Sequence, residues 1–500
     1  MLDWFKRAPA APQIEDKSLI DRIYKRQRWQ QVISMLVVYG LFYVCRLGFS
    51  MTKKSMIDQG AYTETELGMI GSALFIAYAV GKVTNGFLAD RANVRRFISF
   101  GLFVSALANM LVGFHLAFYA LLAIWFVNGF AQATGAACCV VGQSRWYAKS
   151  ERGTFYGIWS CSNNLGEALC YIISSLVMVW AGTQFGEEYG WKSAFWCASC
   201  FGLCGAALSM LFFRDSPQSM GLPEVNEYKG EPPSKQDAIA AEDVRMGQKL
   251  AIKNWVVWLV AISGGLFCAS RYAIADWGPF CLQVKGYDEV DSGIIVSINS
   301  IVGAVSSGLS GIISDKFFKG SRHQLTFIAG LMNVTALSLF MLVPGKHLWV
   351  DVTAMVLFGL AVGILLTFLG GLMAVDLVPR IAAGAALGIA GMGNYLGAGV
   401  QSLVSSFFIR GLAEKTATLP DGTKLLADGS KILKSGVHIA PDGTQINRFF
   451  DTTFDVFGYE YTLNWIAVFW IGMAFLSMLG GLAIWRISVV RKRQEAAAAA

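Results

Sequence analysis

Residues 63–91 read TETELGMIGSALFIAYAVGKVTNGFLADR, and residues 288–316 read DEVDSGIIVSINSIVGAVSSGLSGIISDK. The two stretches begin 225 positions apart, and nine of their 29 aligned positions are identical, among them Asp90 and Asp315. A match of this length at a fixed offset predicts that the chain contains two copies of one larger structural unit.

The copies are built from apolar segments. Of the 500 residues, 55% are hydrophobic and 15% are charged, and the mean hydropathy is +0.49. Runs of about twenty apolar residues recur, which is the length that crosses a bilayer as a helix. Because backbone polar groups find no water inside lipid, we expect each run to be helical. The twelve predicted spans are 31–51, 66–88, 97–115, 117–141, 154–180, 193–213, 255–282, 292–313, 325–343, 349–374, 384–409 and 463–485.

A polar, proline-containing stretch at 214–254 divides these spans into two sets of six and is typical of a linker. We therefore predict an all-α membrane protein with 12 transmembrane helices in two six-helix halves, at 31–213 and 255–485. The N-terminal segment 1–30 and the tail 486–500 complete the chain.

The distribution of positive charge predicts the topology. Basic residues are frequent before the first span and in every second loop, whereas the opposite short loops have few, among them Lys53 and Lys54. By the positive-inside rule, both termini and the linker are cytoplasmic. The net charge of +7 follows this pattern, so we expect a lipid bilayer and not nucleic acid as the partner.

A long extracytoplasmic insertion is predicted at 410–462, before helix 12. It contains PDGTK, ADGSK and PDGTQ, and Asp-Gly pairs are typical of tight hairpin turns. We expect a small β-hairpin-like cap.

Charged residues within the predicted spans are candidates for function, because each costs roughly 2.5–3.5 kcal/mol to insert. Away from the ends of the spans they are Arg46, Lys82, Glu167, Arg271 and Asp276. Three cations and two anions favour an anionic ligand.

Arg46 and Arg271 are separated by the same 225 positions as the repeat, so each copy contributes one arginine. A guanidinium grips a phosphate or carboxylate through two parallel hydrogen bonds, and two of them form a clamp suited to a divalent oxyanion. The alternative is that each cation is neutralised by a nearby acid and only holds helices together. For Glu167 and Asp276 both interpretations remain open.

Aromatic and amide side chains occur at helical spacing near these charges, where they are candidates for lining a ligand path. They are Tyr39 and Tyr43 before Arg46, Tyr78 before Lys82, and Trp159 with Asn163 in the fifth span. The sequence has no phosphate-binding glycine loop, dinucleotide fingerprint, HExxH or nucleophile elbow, so we expect no enzyme activity, cofactor or metal site.

The stretch GFLADRANVRR at 86–96 resembles the major facilitator motif G-x-L-A-D-R-x-x-x-R-R, and GIISDK at 311–316 is a weaker copy. The resemblance implies a major facilitator fold, with Asp90, Arg91 and Asp315 as gating residues at cytoplasmic helix ends. The alternative is a positively charged loop with a glycine packing contact.

Longer stretches resemble the organophosphate:inorganic phosphate antiporter family, over nearly the whole chain except 410–462. They are YGLFYVCRLGFS, AYAVGKVTNGFLADR, WYAKSERGTFYGIWSCSNNLG, RDSPQSMGLP, SRYAIADWGPF and VPRIAAGAALGIAGMGNYLGA. The resemblance implies that Arg46 and Arg271 bind phosphate and that Lys82 assists them. Residues matching the family's pocket are Tyr39, Tyr43, Tyr78, Trp159 and Tyr395.

The fifth span departs from the family pattern. Asn163 stands where the family has histidine, and Glu167 replaces a small residue; in the first span Leu47 follows Arg46 where the family has lysine. Glu167 is expected to pair with Lys82, to accept a substrate hydroxyl or amine, or to couple protons.

The resemblance implies a monomeric antiporter in a bacterial inner membrane, which exchanges a sugar phosphate or similar organophosphate for inorganic phosphate by alternating access. One alternative is a membrane sensor that binds a sugar phosphate without transport and signals to a membrane kinase. Another is a proton-coupled organic-anion transporter.

Overall fold

The computed structural model describes residues 3–148, 151–230, 246, 249–317, 322–343, 345–369, 373, 383–409 and 465–499, together with short pieces between 416 and 463. Within this part of the chain, long helices dominate. The first six are α1 Lys17–Asp58, α2 Glu64–Arg91, α3 Val94–Val112, α4 Phe118–Trp146, α5 Arg152–Phe185 and α6 Glu187–Phe212. The next six are α7 Trp255–Val284, α8 Glu289–Phe317, α9 Arg322–Leu342, α10 Leu348–Thr367, α11 Ala383–Ile409 and α12 Trp465–Ala499.

Local sequence determines where several helices begin. Thr63 and Glu66 form a capping box at the start of α2, in which each side chain accepts a hydrogen bond from the other residue's backbone N–H. Asp16 caps α1 by accepting from the Ser18 amide at 2.8 Å. The helix α1 has 42 residues. It continues past Gly48 to Asp58 because the sequence contains no further glycine or proline before Gly60, which has a φ of +67°.

Eleven of the described helices are long and apolar enough to cross a membrane. The helix α11 is not among them, although it has 27 residues. Its sequence is rich in glycine and alanine, and it packs against α2 and α7. Small residues let helices approach closely within a membrane.

The helix packing of the first six helices recurs in the second six. The helix α1 packs against α5 and α6, α2 against α4, and α3 against α4 and α6. Correspondingly, α7 packs against α11 and α12, α8 against α10, and α9 against α10 and α12. The two sets meet through α1 with α7, α2 with α11 and α5 with α8, which is the pattern of a two-fold relation between repeats.

The contact between α2 and α11 is close enough to require glycine. A Cβ added to Gly68 would lie 2.2 Å from the Ser406 side chain, and one added to Gly71 would lie 2.4 Å from the Ser402 hydroxyl oxygen. A second close contact joins α5 to the beginning of α8, where a Cβ on Gly293 would lie 2.9 Å from the Tyr171 carbonyl oxygen. These glycines bring the two sets of helices into contact near the end where α2 begins.

The described pieces between α11 and α12 contain short antiparallel strands. Five pair in sequential order: Thr416–Thr418, Lys424–Leu426, Lys431–Ile432, His438–Ile439 and Gln445–Ile446. Two more, Thr452–Val456 and Tyr459–Leu463, form a hairpin. In the turn between the fourth and fifth strands, Gly443 has a φ of +86°, as expected for an Asp-Gly turn. The predicted location of this segment outside the cytoplasm stays a prediction.

Candidate functional site

Arg46 is buried in the middle of α1, with 4% of its surface exposed. Its guanidinium carbon lies 4.2 Å from the ring centre of Tyr43 and 5.3 Å from that of Tyr78, so aromatic faces stabilise its charge. Its Nε and Nη1 have no hydrogen-bond partner among the described residues. Buried guanidinium donors are rarely left unpaired, so Arg46 retains the capacity to bind an anion.

Arg271 is equally buried in α7, but it has a carboxylate partner. Its Nη2 donates to the Glu167 carboxylate at 2.9 Å, and Glu167 is 3% exposed. The Tyr171 hydroxyl lies 3.3 Å from the other oxygen of Glu167. Of the three predicted roles for Glu167, pairing is therefore observed with Arg271 instead of Lys82.

The two arginines share neighbours although they belong to different sets of helices. Tyr43 of α1 and Tyr272 of α7 are each neighbours of both guanidinium groups, and their rings lie 4.2 Å from the Arg46 and 5.1 Å from the Arg271 guanidinium carbon, respectively. The fold therefore brings Arg46 and Arg271 to one place. Tyr272 was not predicted as a site residue, although it directly follows Arg271 in the stretch SRYAIADWGPF.

The other predicted aromatic residues surround this place. Tyr78 of α2 stacks on Tyr395 of α11, with ring centres 4.1 Å apart. Tyr39 lies 5.7 Å from the Tyr43 ring and 5.0 Å from the Trp159 ring. Arg46, which lies near the rings of both Tyr43 and Tyr78, connects these two groups, so one aromatic cluster includes residues of α1, α2, α5 and α11.

Lys82 lies beside the same cluster. Its ammonium group is 5.1 Å from the Tyr395 ring centre, and Cys268 of α7 is a neighbour of the same group. Among the described residues it forms no ion pair with a carboxylate, in contrast to Arg271. Lys82 packs closely over Gly391, since a Cβ there would lie 2.8 Å from the Lys82 nitrogen and the lysine side chain would have to shift.

Helix α5 presents Asn163 one turn before Glu167. The Asn163 Oδ1 is buried and, like the Arg46 donors, has no hydrogen-bond partner among the residues that the structure describes. Trp159, one turn earlier again, is 4% exposed. This face of α5 therefore carries an aromatic ring, an amide and a carboxylate in succession.

A second buried ion pair joins the two sets of helices. Lys53 is fully buried, and its nitrogen lies 2.6 Å from Asp276 Oδ1 and 3.6 Å from the Trp277 ring centre. Ser402 of α11 donates to the other Asp276 oxygen at 2.6 Å. The sequence-based assignment of Lys53 to a loop is therefore wrong. The absence of glycine and proline between Ser50 and Asp58 was the available signal for a longer α1.

The predicted gating residues lie at the far end of α2. Asp90 and Arg91 are exposed, and neither forms an ion pair within the described part of the chain. Arg145 donates to the Asp90 carbonyl oxygen at 3.0 Å and is itself paired with the buried carboxylate of Asp215. The side chain of Asp315 lies outside the described residues, so the gating role stays a prediction.

These residues form one centre in which positively charged groups lie on one side and hydrogen-bond acceptors lie on the other. One part holds three cations, of which Arg46 and Lys82 have no described carboxylate partner. The other part holds the acceptor groups of α5. Such a centre can bind an oxyanion through guanidinium hydrogen bonds in surroundings that exclude bulk water.

Comparisons with known proteins place the chain in a family. The Major Facilitator Superfamily profile matches residues 33–402. The glycerol-3-phosphate transporter of Bacillus subtilis (strain 168) is 31% identical over 412 residues, covering 79% of this chain and 89% of the relative. The membrane sensor protein UhpC of Escherichia coli (strain K12) is 28% identical over 399 residues, covering 79% and 89%.

A solved structure shares the fold. A bacterial homologue of the human lysosomal transporter Spinster superposes with a TM-score of 0.60 at 17% identity, covering 77% of this chain and 83% of the other. The chain therefore belongs to the Major Facilitator Superfamily, in the organophosphate:inorganic phosphate antiporter family that its span sequences resemble.

Proposed function

We propose that this protein transports a phosphorylated small organic molecule, such as a sugar phosphate or glycerol 3-phosphate, in exchange for inorganic phosphate. The observation that carries the proposal is the pair of buried arginines. They stand at equivalent positions of the two repeats, they share Tyr43 and Tyr272 as neighbours, and Arg46 has unpaired donors. The relative named as a glycerol-3-phosphate transporter supports the substrate class.

The exchange follows from the charge of the centre. An empty centre resists being enclosed, because Arg46 and Lys82 carry positive charge that the Arg271–Glu167 pair does not neutralise, in surroundings of low polarity. A bound phosphate group of either substrate offsets that charge and allows the two six-helix halves to rock around the ligand. Return of the empty carrier is slow, so one phosphate compound must leave for another to enter.

In this proposal, two groups of contacts open and close the centre on opposite sides of the membrane. The glycine-dependent contact of α2 with α11 and the Lys53–Asp276 ion pair hold the halves together on one side of the centre. In the proposed cycle these contacts separate when the centre opens to that side. Asp90, Arg91 and Asp315 close the opposite, cytoplasmic side.

The proposal includes the predicted membrane arrangement. The halves comprise 31–213 and 255–485, joined by the linker 214–254, and α11 is the twelfth span in addition to the eleven apolar helices. Both termini lie in the cytoplasm, and the strands within 410–462 lie on the other face of a bacterial inner membrane.

The test uses purified protein in liposomes. Vesicles loaded with inorganic phosphate should take up labelled glycerol 3-phosphate or glucose 6-phosphate, whereas vesicles without internal phosphate should take up little. Release of one phosphate compound for each one taken up would support exchange. Uptake that ignores internal phosphate and follows an imposed pH gradient would instead indicate proton-coupled anion transport.

A second candidate function is supported by the similarity to the protein named membrane sensor UhpC. A sensor uses the same binding centre to signal to a membrane kinase. It would bind sugar phosphate without supporting counterflow, so equilibrium binding together with absent exchange would favour this candidate.

A further inference from the structure

The centre has an acceptor side that binding of a phosphate group leaves unused. On α5, Asn163 and Glu167 lie four residues apart and therefore on one helix face. The Asn163 Oδ1 has no partner within the described part of the chain, and the Glu167 carboxylate is 3% exposed. The Asn163 Oδ1 and the Glu167 carboxylate oxygens all accept hydrogen bonds, and an ionised carboxylate cannot donate one.

The Glu167 carboxylate also conflicts with a bound phosphate group. It accepts from Arg271 Nη2 at 2.9 Å, so an anion on the remaining Arg271 nitrogens would stand beside another anion. Like charges in a buried site repel strongly, because little water screens them. A substrate that places positive charge next to its phosphate group removes this conflict.

We propose that the preferred organic substrate is a phosphate ester that also carries an ammonium group. This inference rests on the proposed organophosphate transport. The phosphate group binds Arg46 and Arg271, and the ammonium group donates to Glu167 and Asn163. Trp159 lies one further turn along α5, and an aromatic ring near the ammonium group would add a cation–π contact.

Two other partners for Glu167 explain less of the centre. Lys82 lies beside Tyr395 and Gly391 of α11, whereas the hydrogen bonds of Glu167 go to Arg271 and Tyr171. A substrate hydroxyl would donate a hydrogen bond to the carboxylate but would leave the repulsion between the two anions in place. An ammonium group supplies both the donor and the opposite charge.

The test compares two competitors that differ at one group. In vesicles that exchange labelled phosphate, 2-aminoethyl phosphate should inhibit at a concentration roughly tenfold lower than 2-hydroxyethyl phosphate, as expected for one added charge-assisted contact. In Glu167→Gln the two concentrations should agree within about twofold, and Glu167→Asp should restore part of the preference. Glu188→Gln removes an exposed carboxylate on α6 and should keep the wild-type ratio.

The outcomes separate this inference from the function on which it rests. Wild-type exchange of organophosphates without preference for the amine, or an equal preference in Glu167→Gln, would overturn the inference alone. Failure of the wild-type protein to bind or exchange any phosphate compound would overturn both. Measurement of the melting temperature in detergent shows whether each variant is folded, and the ratio of two inhibitors does not depend on the amount of active protein.

Discussion

Arg46 and Arg271 are the same residue type at equivalent positions of a duplicated unit, but their surroundings have diverged. Arg46 lies against aromatic rings and has free donors, whereas Arg271 is held by Glu167. In the aligned stretch, Lys82 of the first repeat corresponds to Ser307 of the second. The comparison teaches that two equivalent cations can have different surroundings within one centre: one keeps unpaired donors, and the other has an internal counter-ion.

The largest effect is expected at the unpaired arginine. Arg46→Lys should reduce phosphate exchange in liposomes by about 100-fold or more, because lysine cannot form two parallel hydrogen bonds to one phosphate group. The protein should remain folded, since Arg46 has no described hydrogen-bond partner to lose at Nε and Nη1. Exchange within about twofold of wild type would show that the clamp does not depend on this guanidinium.

The paired arginine should differ from the unpaired one in stability. Arg271→Ala leaves the buried Glu167 carboxylate without its counter-ion and should lower the free energy of unfolding by about 3 kcal/mol. Adding Glu167→Ala should recover much of this loss, and Arg46→Ala should cost about 1 kcal/mol or less. Reversible unfolding in mixed micelles measures all four proteins. Equal losses for the two arginines would contradict the difference drawn from the structure.

The carboxylate itself should affect selectivity more than the basic exchange reaction. Glu167→Gly restores a small side chain at this position, and we expect the ranking of competing organophosphates to shift by roughly tenfold for at least one pair. Phosphate:phosphate exchange should change less than that. A competition panel in phosphate-loaded vesicles gives both values. An unchanged ranking would indicate that Glu167 has only a structural role.

The smallest effect is expected from a hydroxyl that supports the carboxylate. Tyr171→Phe removes a group 3.3 Å from Glu167 and 2.9 Å from the Ala275 carbonyl oxygen. Loss of these contacts should cost about 1 kcal/mol of unfolding free energy and leave Arg271 paired. A cost as large as that of Arg271→Ala would mean that the tyrosine, and not the ion pair, holds α5 and α7 together.

Much of the architecture was predictable for two reasons. Apolar runs of membrane-spanning length predict helices, and the two repeated stretches align at a constant offset in the sequence. The arginines were found for the same reason, since 225 positions separate both them and the repeated stretches. Their meeting at Tyr43 and Tyr272 depends on how two sets of helices pack, and a single sequence contains no such distance.

Other parts of the centre could not be derived in this way. From hydropathy, the first span was predicted to end before Lys53, because two adjacent lysines are typical of a loop. In the structure α1 continues to Asp58, and the buried carboxylate of Asp276 stabilises the charge of Lys53. The partner of Glu167 could not be predicted, because the sequence contains several cations within the spans, each of which could pair with this carboxylate. Arg271 was selected by the tertiary structure, which brings the side chain of Glu167 on α5 to that of Arg271 on α7, and spacing along one helix does not describe this.

The central claim is that both repeats contribute to one anion site, and equilibrium binding of labelled phosphate to the purified protein tests it most directly. We predict one bound phosphate per wild-type chain, and a loss of affinity in both Arg46→Lys and Arg271→Lys, with the double variant losing less than the sum of the two, because neither arginine suffices alone. Two phosphates per chain, with each single variant keeping one of them at wild-type affinity, would contradict the account.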